Sequence, residues 1–396
     1  LVPLGYSCSG QVVAVGEGVT LFKPGDLVAC AGANKATHSE LVVVPENLVV
    51  HVLEKCSIKE ASSVAVGAIA MQAVRRSEVA LGESVAVIGL GLVGLLSAKM
   101  LQCSGVRVLG IDIDETRVDK AKALGINEAC SEAADIQRAV NNFTRKMGVD
   151  VCLVAAGSKD SSILQTATEI TRKKGRVVIV GLVPMQFDIN PFFRKELDLL
   201  ASISYGPGRY DDRYEEKGFD YPFAYVRWTE KRNMEEYLNL LAQNKVDLSK
   251  IASKEFDIDN AAIAYDFLQN GNAESTGIFI NYASHFSLQE KSNTQVDINT
   301  KQVDDGINFA VIGAGNFNKR VHLPNLMKLG KDISIGAIVS RTGANAMQVA
   351  KQYGANYATS SFEDVLSDPE IDTVLIGTRH NLHADMTIKS LQAGKN

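Results

Sequence analysis

Hydrophobic positions along the chain fall into short apolar runs, each followed by a stretch with helical spacing. The clearest run is Val85-Ala86-Val87-Ile88, and four consecutive apolar residues predict a strand buried on both faces. A helical pattern through Leu95, Leu96, Ala98 and Leu101 follows, then a second strand at 106–111. The alternation continues with strands at 150–154 and 176–180 around a helix at 163–171. Strands alternating with helices predict a parallel sheet. The stretch before it is β-rich: 10–16 alternates like a strand, and 41–44 and 48–50 are short strands. After it come 256–258, a helix at 260–269 ended by Gly271, and a strand at 278–280. Residues 283–306 are mostly polar, which predicts an interdomain linker. The alternation then restarts: strand 309–312, a helix to Leu329, strand 333–339, helices 344–353 and 362–366, strand 373–376 and a last helix.

The first strand runs into Gly89-Leu90-Gly91-Leu92-Val93-Gly94, a G-x-G-x-x-G sequence. Gly89 permits a tight turn, Gly91 lets backbone approach a pyrophosphate, and Gly94 lets the helix pack close to the strand. The amides of Leu92 and Val93 then face the phosphate charge at the helix N-terminus. Asp112 ends the second strand, 18 residues beyond Gly94. A carboxylate there holds both ribose hydroxyls and repels a 2′-phosphate, so NAD is favoured. Ala156, Gly157, Gly181 and Leu182 lie at later strand ends and are expected cofactor neighbours. Downstream, Gly313, Gly315, Asn316 and Phe317 repeat the pattern, with Asn318 in place of the third glycine. Ser340-Arg341 stands where the acid would be. A guanidinium suits a 2′-phosphate, and a surface arginine is the competing reading, so the second site takes NADP or NAD.

A length of 396 residues predicts two or three domains. Net charge −5 argues against nucleic acid, and no apolar run is long enough to span a membrane. Six scattered cysteines without a C-x-x-C pair suit a reducing cytoplasm. Both ends, at Leu1 and Asn396, look cut.

The order of elements resembles the medium-chain dehydrogenase/reductase superfamily over about 1–282, through 12–19, Lys23-Pro24-Gly25-Asp26, the Gly89 motif and 261–280. The resemblance implies a GroES-like β domain, N-terminally truncated (1–60 and 246–282), interrupted by a Rossmann doubly wound parallel sheet (61–245). Zinc-using members carry Gly-His-Glu where this chain has Gly5-Tyr6-Ser7, and a later ligand near Val66. Residues 26–45 contain only Cys30, and His38 reads as a loop residue. Too few ligands remain for catalytic zinc, so no metal is expected. Hydride transfer then rests on positioning and hydrogen-bond donors, with Tyr6, Arg209, Tyr210 and Arg227 as candidates.

Residues 307–396 resemble the glucose–fructose oxidoreductase/inositol dehydrogenase family, through Gly-x-Gly-Asn, Thr378 five residues before His383, and Ala393-Gly394-Lys395. The resemblance implies a second, incomplete Rossmann domain with Thr378 and His383 at the nicotinamide end; a helix-capping role for His383 is equally open. The family's Glu-Lys-Pro segment would fall just beyond Asn396. Segments 204–210 and 225–230 resemble bacterial bi-domain oxidoreductases of surface-polysaccharide or sugar metabolism. Function is therefore expected to be NAD(P)-dependent hydride transfer to or from a sugar or nucleotide-sugar hydroxyl or ketone. A dinucleotide-sensing scaffold and a zinc-free quinone or enone reductase are the alternatives. The loop at Arg209 and Tyr210 is a candidate substrate loop, with Arg227 a candidate for a sugar phosphate or carboxylate; a structural loop or a homodimer contact is the competing reading.

Overall fold

The computed structural model describes residues 3–126, 128–131, 133–252, 254–269, 276–282, 294–298, 306–329 and 333–396. Its two units are Leu4–Ala283 and Ser284–Asn396. The first begins with β1 (Ser7–Gln11), β2 (Leu27–Ala31) and β3 (Val49–His51), an antiparallel sheet in the order β1-β2-β3. Helices α1 (Ile58–Ala61) and α2 (Val64–Ser77) lead into the alternating region.

That region comprises β4 (Ser84–Ile88), α3 (Leu92–Cys103), β5 (Arg107–Ile111), α4 (Glu115–Ala123), β6 (Glu128–Cys130), α5 (Ala133–Thr144), β7 (Val149–Val154), α6 (Ser162–Ile170), β8 (Thr171–Ile179), α7 (Ile189–Lys195) and β9 (Asp198–Ala201). The six strands pair in parallel in the order β6-β5-β4-β7-β8-β9. This is a doubly wound sheet whose order reverses between β4 and β7. Alternate residues of β4 enter opposite cores, Val85 and Val87 in one and Ala86 and Ile88 in the other, as a strand covered on both faces requires. Helices α8 (Asp212–Glu215) and α9 (Glu230–Ala242) follow. The unit closes with β10 (Lys254–Asp257), α10 (Ala261–Gln269) and β11 (Ile278–Asn281), the two strands pairing in parallel.

The second unit comprises β12 (Gln295–Asp297), β13 (Ile307–Ile312), α11 (Leu323–Lys328), β14 (Ile333–Val339), α12 (Gly343–Tyr353), β15 (Tyr357–Thr359), α13 (Phe362–Ser367), β16 (Thr373–Ile376) and α14 (His383–Gln392). Its sheet runs β12-β15-β14-β13-β16, parallel except for β12.

The structure corrects four expectations. The strand predicted at 10–16 stops at Gln11, because Val13 and Val15 are exposed and bury no face. Residues 41–44 form no strand, and Val43 is almost wholly exposed. The predicted linker contains β12, which pairs antiparallel with β15; the rest of 283–306, apart from 294, 298 and 306, lies outside the described residues, as do Gly271 and Leu1. The helix reaching Leu329 opens with a wide π turn at Asn318–His322.

Candidate dinucleotide site

The three glycines after β4 do three different things. Gly89 turns the chain at φ +96°, and a Cβ there would lie 2.6 Å from the amide nitrogen of Ala156. A Cβ on Gly94 would lie 1.8 Å from the Gly89 carbonyl oxygen, so α3 and the turn are in backbone contact. Gly91 has ordinary extended backbone, and a Cβ there would meet no described atom within 4 Å. The space is open, and no side chain caps the N-terminus of α3. Leu92 points toward Gly277 and Val93 packs on the core, leaving the first amides of the helix for a ligand. Unpaired amides and the helix dipole make such a terminus an anion site.

Asp112 sits at the rim, 6 % exposed. Its Oδ2 accepts the Leu90 amide at 2.6 Å and its Oδ1 the Asp114 amide at 3.0 Å. The carboxylate therefore faces the glycine turn. Arg117 lies 3.7 Å from Oδ2. Beside the acid, Ile113 is 97 % exposed, an apolar residue that sequence patterning passes over because it lies outside the strand. At the neighbouring strand ends, a Cβ on Gly181 would lie 2.0 Å from the Ala156 carbonyl oxygen. Ser158 donates its amide to the Leu182 carbonyl at 3.0 Å. This brings Gly89, Ala156, Gly157, Gly181 and Leu182 to one edge of the sheet.

In the second unit Gly313 repeats the turn at φ +97°, and Gly315, like Gly91, faces open space. Asn318 is fully buried and donates from Nδ2 to the Gly313 carbonyl at 2.5 Å. Its amide thus ties the turn shut where a glycine would let backbones touch. Asn316 is exposed, as is Phe317, whose ring meets His322 edge-on at 4.9 Å between centroids. Ser340 accepts from Asn345 Nδ2 at 3.2 Å, and Arg341 is exposed at the end of β14. His383 opens α14, with Nε2 3.0 Å from the Thr378 carbonyl oxygen. The ring thus ties the helix start to the strand-end loop instead of capping helix amides.

The other candidates divide. Tyr6 is exposed over part of its ring, 42 % in all, and burial of the remainder raises the phenol above its usual value. Arg209 is committed to Glu215, with Nη1 2.6 Å from Oε1, and lies over the rings of Tyr205 and Tyr210. Tyr210 is exposed, with φ +67°. Arg227 stacks on Trp228, 3.7 Å from the ring centroid, and Arg75 lies 3.2 Å from the same centroid.

Glu230, beside Arg209, escapes a sequence reading. It is the first residue of α9, where an acid ordinarily faces solvent and the helix dipole. Here it is 0 % exposed, and neither carboxylate oxygen has a hydrogen-bond partner among the described residues. Desolvation, helped by the nearby Glu215 and opposed by Arg209, pushes its pKa up to about 8.

Tyr6 replaces the expected histidine, and His38 is engaged at Nδ1 by the Tyr265 hydroxyl at 2.9 Å. Among the described residues no three His, Cys, Asp or Glu side chains are placed to share a metal ion. Among those residues no helix is long and apolar enough to cross a membrane.

Residues 89–219 match the family of zinc-binding dehydrogenases, and residues 307–396 match an oxidoreductase family with an NAD-binding Rossmann fold. Sorbitol dehydrogenase of Halalkalibacterium halodurans is 26% identical over 305 residues, covering 69% of this chain and 81% of the relative. D-xylulose reductase A of Aspergillus oryzae is 26% identical over 308 residues, 69% of this chain and 79% of the relative. Among solved structures, the alcohol dehydrogenase TADH from Thermus superposes with a TM-score of 0.59 at 21% identity, over 71% of this chain and 84% of its own. Galactitol-1-phosphate dehydrogenase from Escherichia coli does so with a TM-score of 0.58 at 20% identity, over 68% and 82%. The chain is an NAD(P)-dependent oxidoreductase. It joins a medium-chain dehydrogenase module to the Rossmann domain of a second oxidoreductase family.

Proposed function

We propose that the first module transfers hydride between NAD and a sugar or polyol CH–OH carbon without zinc, in sugar or surface-polysaccharide metabolism. The observation that carries this reading is the open space at Gly91 beneath an uncapped helix, with the Asp112 carboxylate turned toward it. The relatives named as sorbitol dehydrogenase and xylulose reductase support the substrate class. In this reading the α3 amides hold the pyrophosphate, Asp112 holds the ribose hydroxyls, and Ile113 lies against the adenine. Ala156, Gly157, Gly181 and Leu182 flank the nicotinamide half. Bound NAD supplies an acceptor for hydride from the substrate carbon.

A proton must leave the hydroxyl as the hydride departs. On reduction Tyr6 is our candidate to donate the proton to the carbonyl oxygen; on oxidation it accepts the hydroxyl proton only as phenolate, which favours that direction at high pH. Its raised pKa keeps the phenol protonated near neutral pH, the form that donates to a carbonyl oxygen. The second module holds NAD or NADP in the same manner through Gly313, Gly315 and the end of β14, with Arg341 beside the ribose.

The test is NADH formation by the full chain with sorbitol, xylitol and galactitol, against simple quinones with NADPH. Turnover of a polyol that is lost in Tyr6→Phe supports the reading. NADPH consumption by quinones alone would replace it with a quinone reductase. Dinucleotide binding with no turnover of any substrate class would leave a sensor.

A further inference from the structure

Cys8 and Cys30 are directly opposed across the β1–β2 ladder. The rungs from Gly32 N–H to Tyr6 carbonyl at 3.0 Å and from Val12 N–H to Asp26 carbonyl at 2.9 Å set the alternation. Cys8, two residues from Tyr6 and four from Val12, falls on the same hydrogen-bonded type of rung. Such a rung separates Cα atoms by about 5.5 Å, within the span that disulfides bridge. Both side chains join one small cluster with Phe22, Val28 and Val49. Their access differs: Cys8 is partly exposed and Cys30 is 6 % exposed. On the other face of β1, Ser7 Oγ accepts the Ala65 amide at 3.0 Å and donates to the Ser62 carbonyl at 2.6 Å. The strand is therefore already anchored in the position a bridge needs.

We propose that Cys8 and Cys30 form a reversible dithiol–disulfide pair, oxidised by exchange with a small-molecule disulfide such as oxidised glutathione. The Cys8 thiolate attacks one sulfur of the oxidant, forming a mixed disulfide and releasing one glutathione thiolate. Cys30 gives up its proton and attacks the Cys8 sulfur, releasing the second glutathione. Two protein thiols lose two electrons and two protons, and one glutathione disulfide gains them. The order follows first from access, Cys8 being the partly exposed thiol and Cys30 the buried one. The hydrogen bond from Cys30 draws the Cys8 thiol below its usual value, and thiolate is the attacking form. The same bond, burial and the charge on Cys8 hold Cys30 protonated. Two of those causes vanish once Cys8 is capped, which frees Cys30 to resolve the adduct. Exposure on the Cys8 side leaves the bond open to reductant, the property of labile rather than structural bridges.

The experiment equilibrates the full chain over a range of reduced-to-oxidised glutathione ratios and blocks remaining thiols by alkylation. Cleavage after Glu17 separates the two cysteines, and the fragments are weighed. The expected product is a Cys8–Cys30 linked pair, two hydrogens lighter than the separate fragments and undone by dithiothreitol. Cys30→Ser should accumulate glutathione on Cys8, and Cys8→Ser should leave Cys30 unmodified in the folded chain. The proposal is overturned if both cysteines alkylate fully at every ratio. It is equally overturned if wild type stops at a Cys8 adduct with Cys30 still free. The exposed Cys103 serves as an internal control for simple surface glutathionylation.

Discussion

The Leu90 amide donates to the Asp112 carboxylate at 2.6 Å, so the glycine turn and the acid at the next strand end are one hydrogen-bonded unit. Asp112→Ala is expected to weaken NAD binding by about 1–3 kcal/mol through lost charged hydrogen bonds. A 2′-phosphate is repelled by the native acid, so the same variant should bind NADP as well as or better than wild type. Calorimetric titration of both dinucleotides separates the roles, since mere loosening of the turn would weaken the two equally.

Gly91 offers a cleaner probe of the cradle. Its backbone conformation suits any residue and its Cβ direction is empty. Gly91→Val should therefore change thermal stability little, by under about 1 kcal/mol, yet reduce NAD affinity at least tenfold. A variant that binds normally would place the pyrophosphate elsewhere.

Glu230 sets a pH dependence. Its pKa in the fold is about 8 against an ordinary 4.5. Between those values the folded chain keeps a proton that the unfolded chain releases, so stability falls as pH rises through this window. The loss is complete above about pH 8 and is on the order of a few kcal/mol. Glu230→Gln should flatten the decline in melting temperature between pH 5 and 8.5. An equally steep decline in the variant would assign the effect to other groups.

Removing Glu215 should reveal its coupling to Glu230. Arg209 now pairs with Glu215, while the Glu230 carboxylate beside it has no hydrogen-bond partner among the described residues. In Glu215→Gln the guanidinium keeps only one carboxyl near it. Glu230 should then ionise at lower pH and take over the pairing, softening the roughly 3–5 kcal/mol normally lost when a buried ion pair is broken. Chemical denaturation of both single variants and the double variant, as a cycle, measures the coupling. Additive effects would show that the two acids act independently.

The proposed independence of zinc is also measurable. Enzyme treated with a strong chelator should retain its turnover, and metal analysis should find far less than one zinc per chain. Activity that disappears with the chelator and returns with zinc would require ligands outside the described residues.

The β4–α3–β5 core was legible because every signal in it is local: an apolar run, three glycines and an acid at fixed spacing. The second unit was legible for the same reason. Elements whose evidence is tertiary were not. Asp198–Ala201 is too short to stand out, yet it completes the sheet by pairing with β8. Glu230 reads as an ordinary helix start, yet its amide donates to Pro207 and Gly208 comes up against its carboxylate, contacts no local pattern announces. Val13 and Val15 alternate like a strand but stay exposed. Cys8 and Cys30 are far apart in sequence, and only strand register makes them neighbours.

β12 also fixes where this polypeptide is safely divided. Ile298 donates its amide to Asn356, Ser360 donates to Thr294, and the Thr294 hydroxyl donates to Asp364 at 2.7 Å. A fragment beginning at residue 307 would strip this strand away and leave the flank of β15 with unpaired amides and carbonyls, a template for adhesion between molecules. Expression of the C-terminal unit by itself therefore calls for a start upstream of Thr294, and poor solubility of shorter versions would reflect that lost flank and not an unfoldable domain.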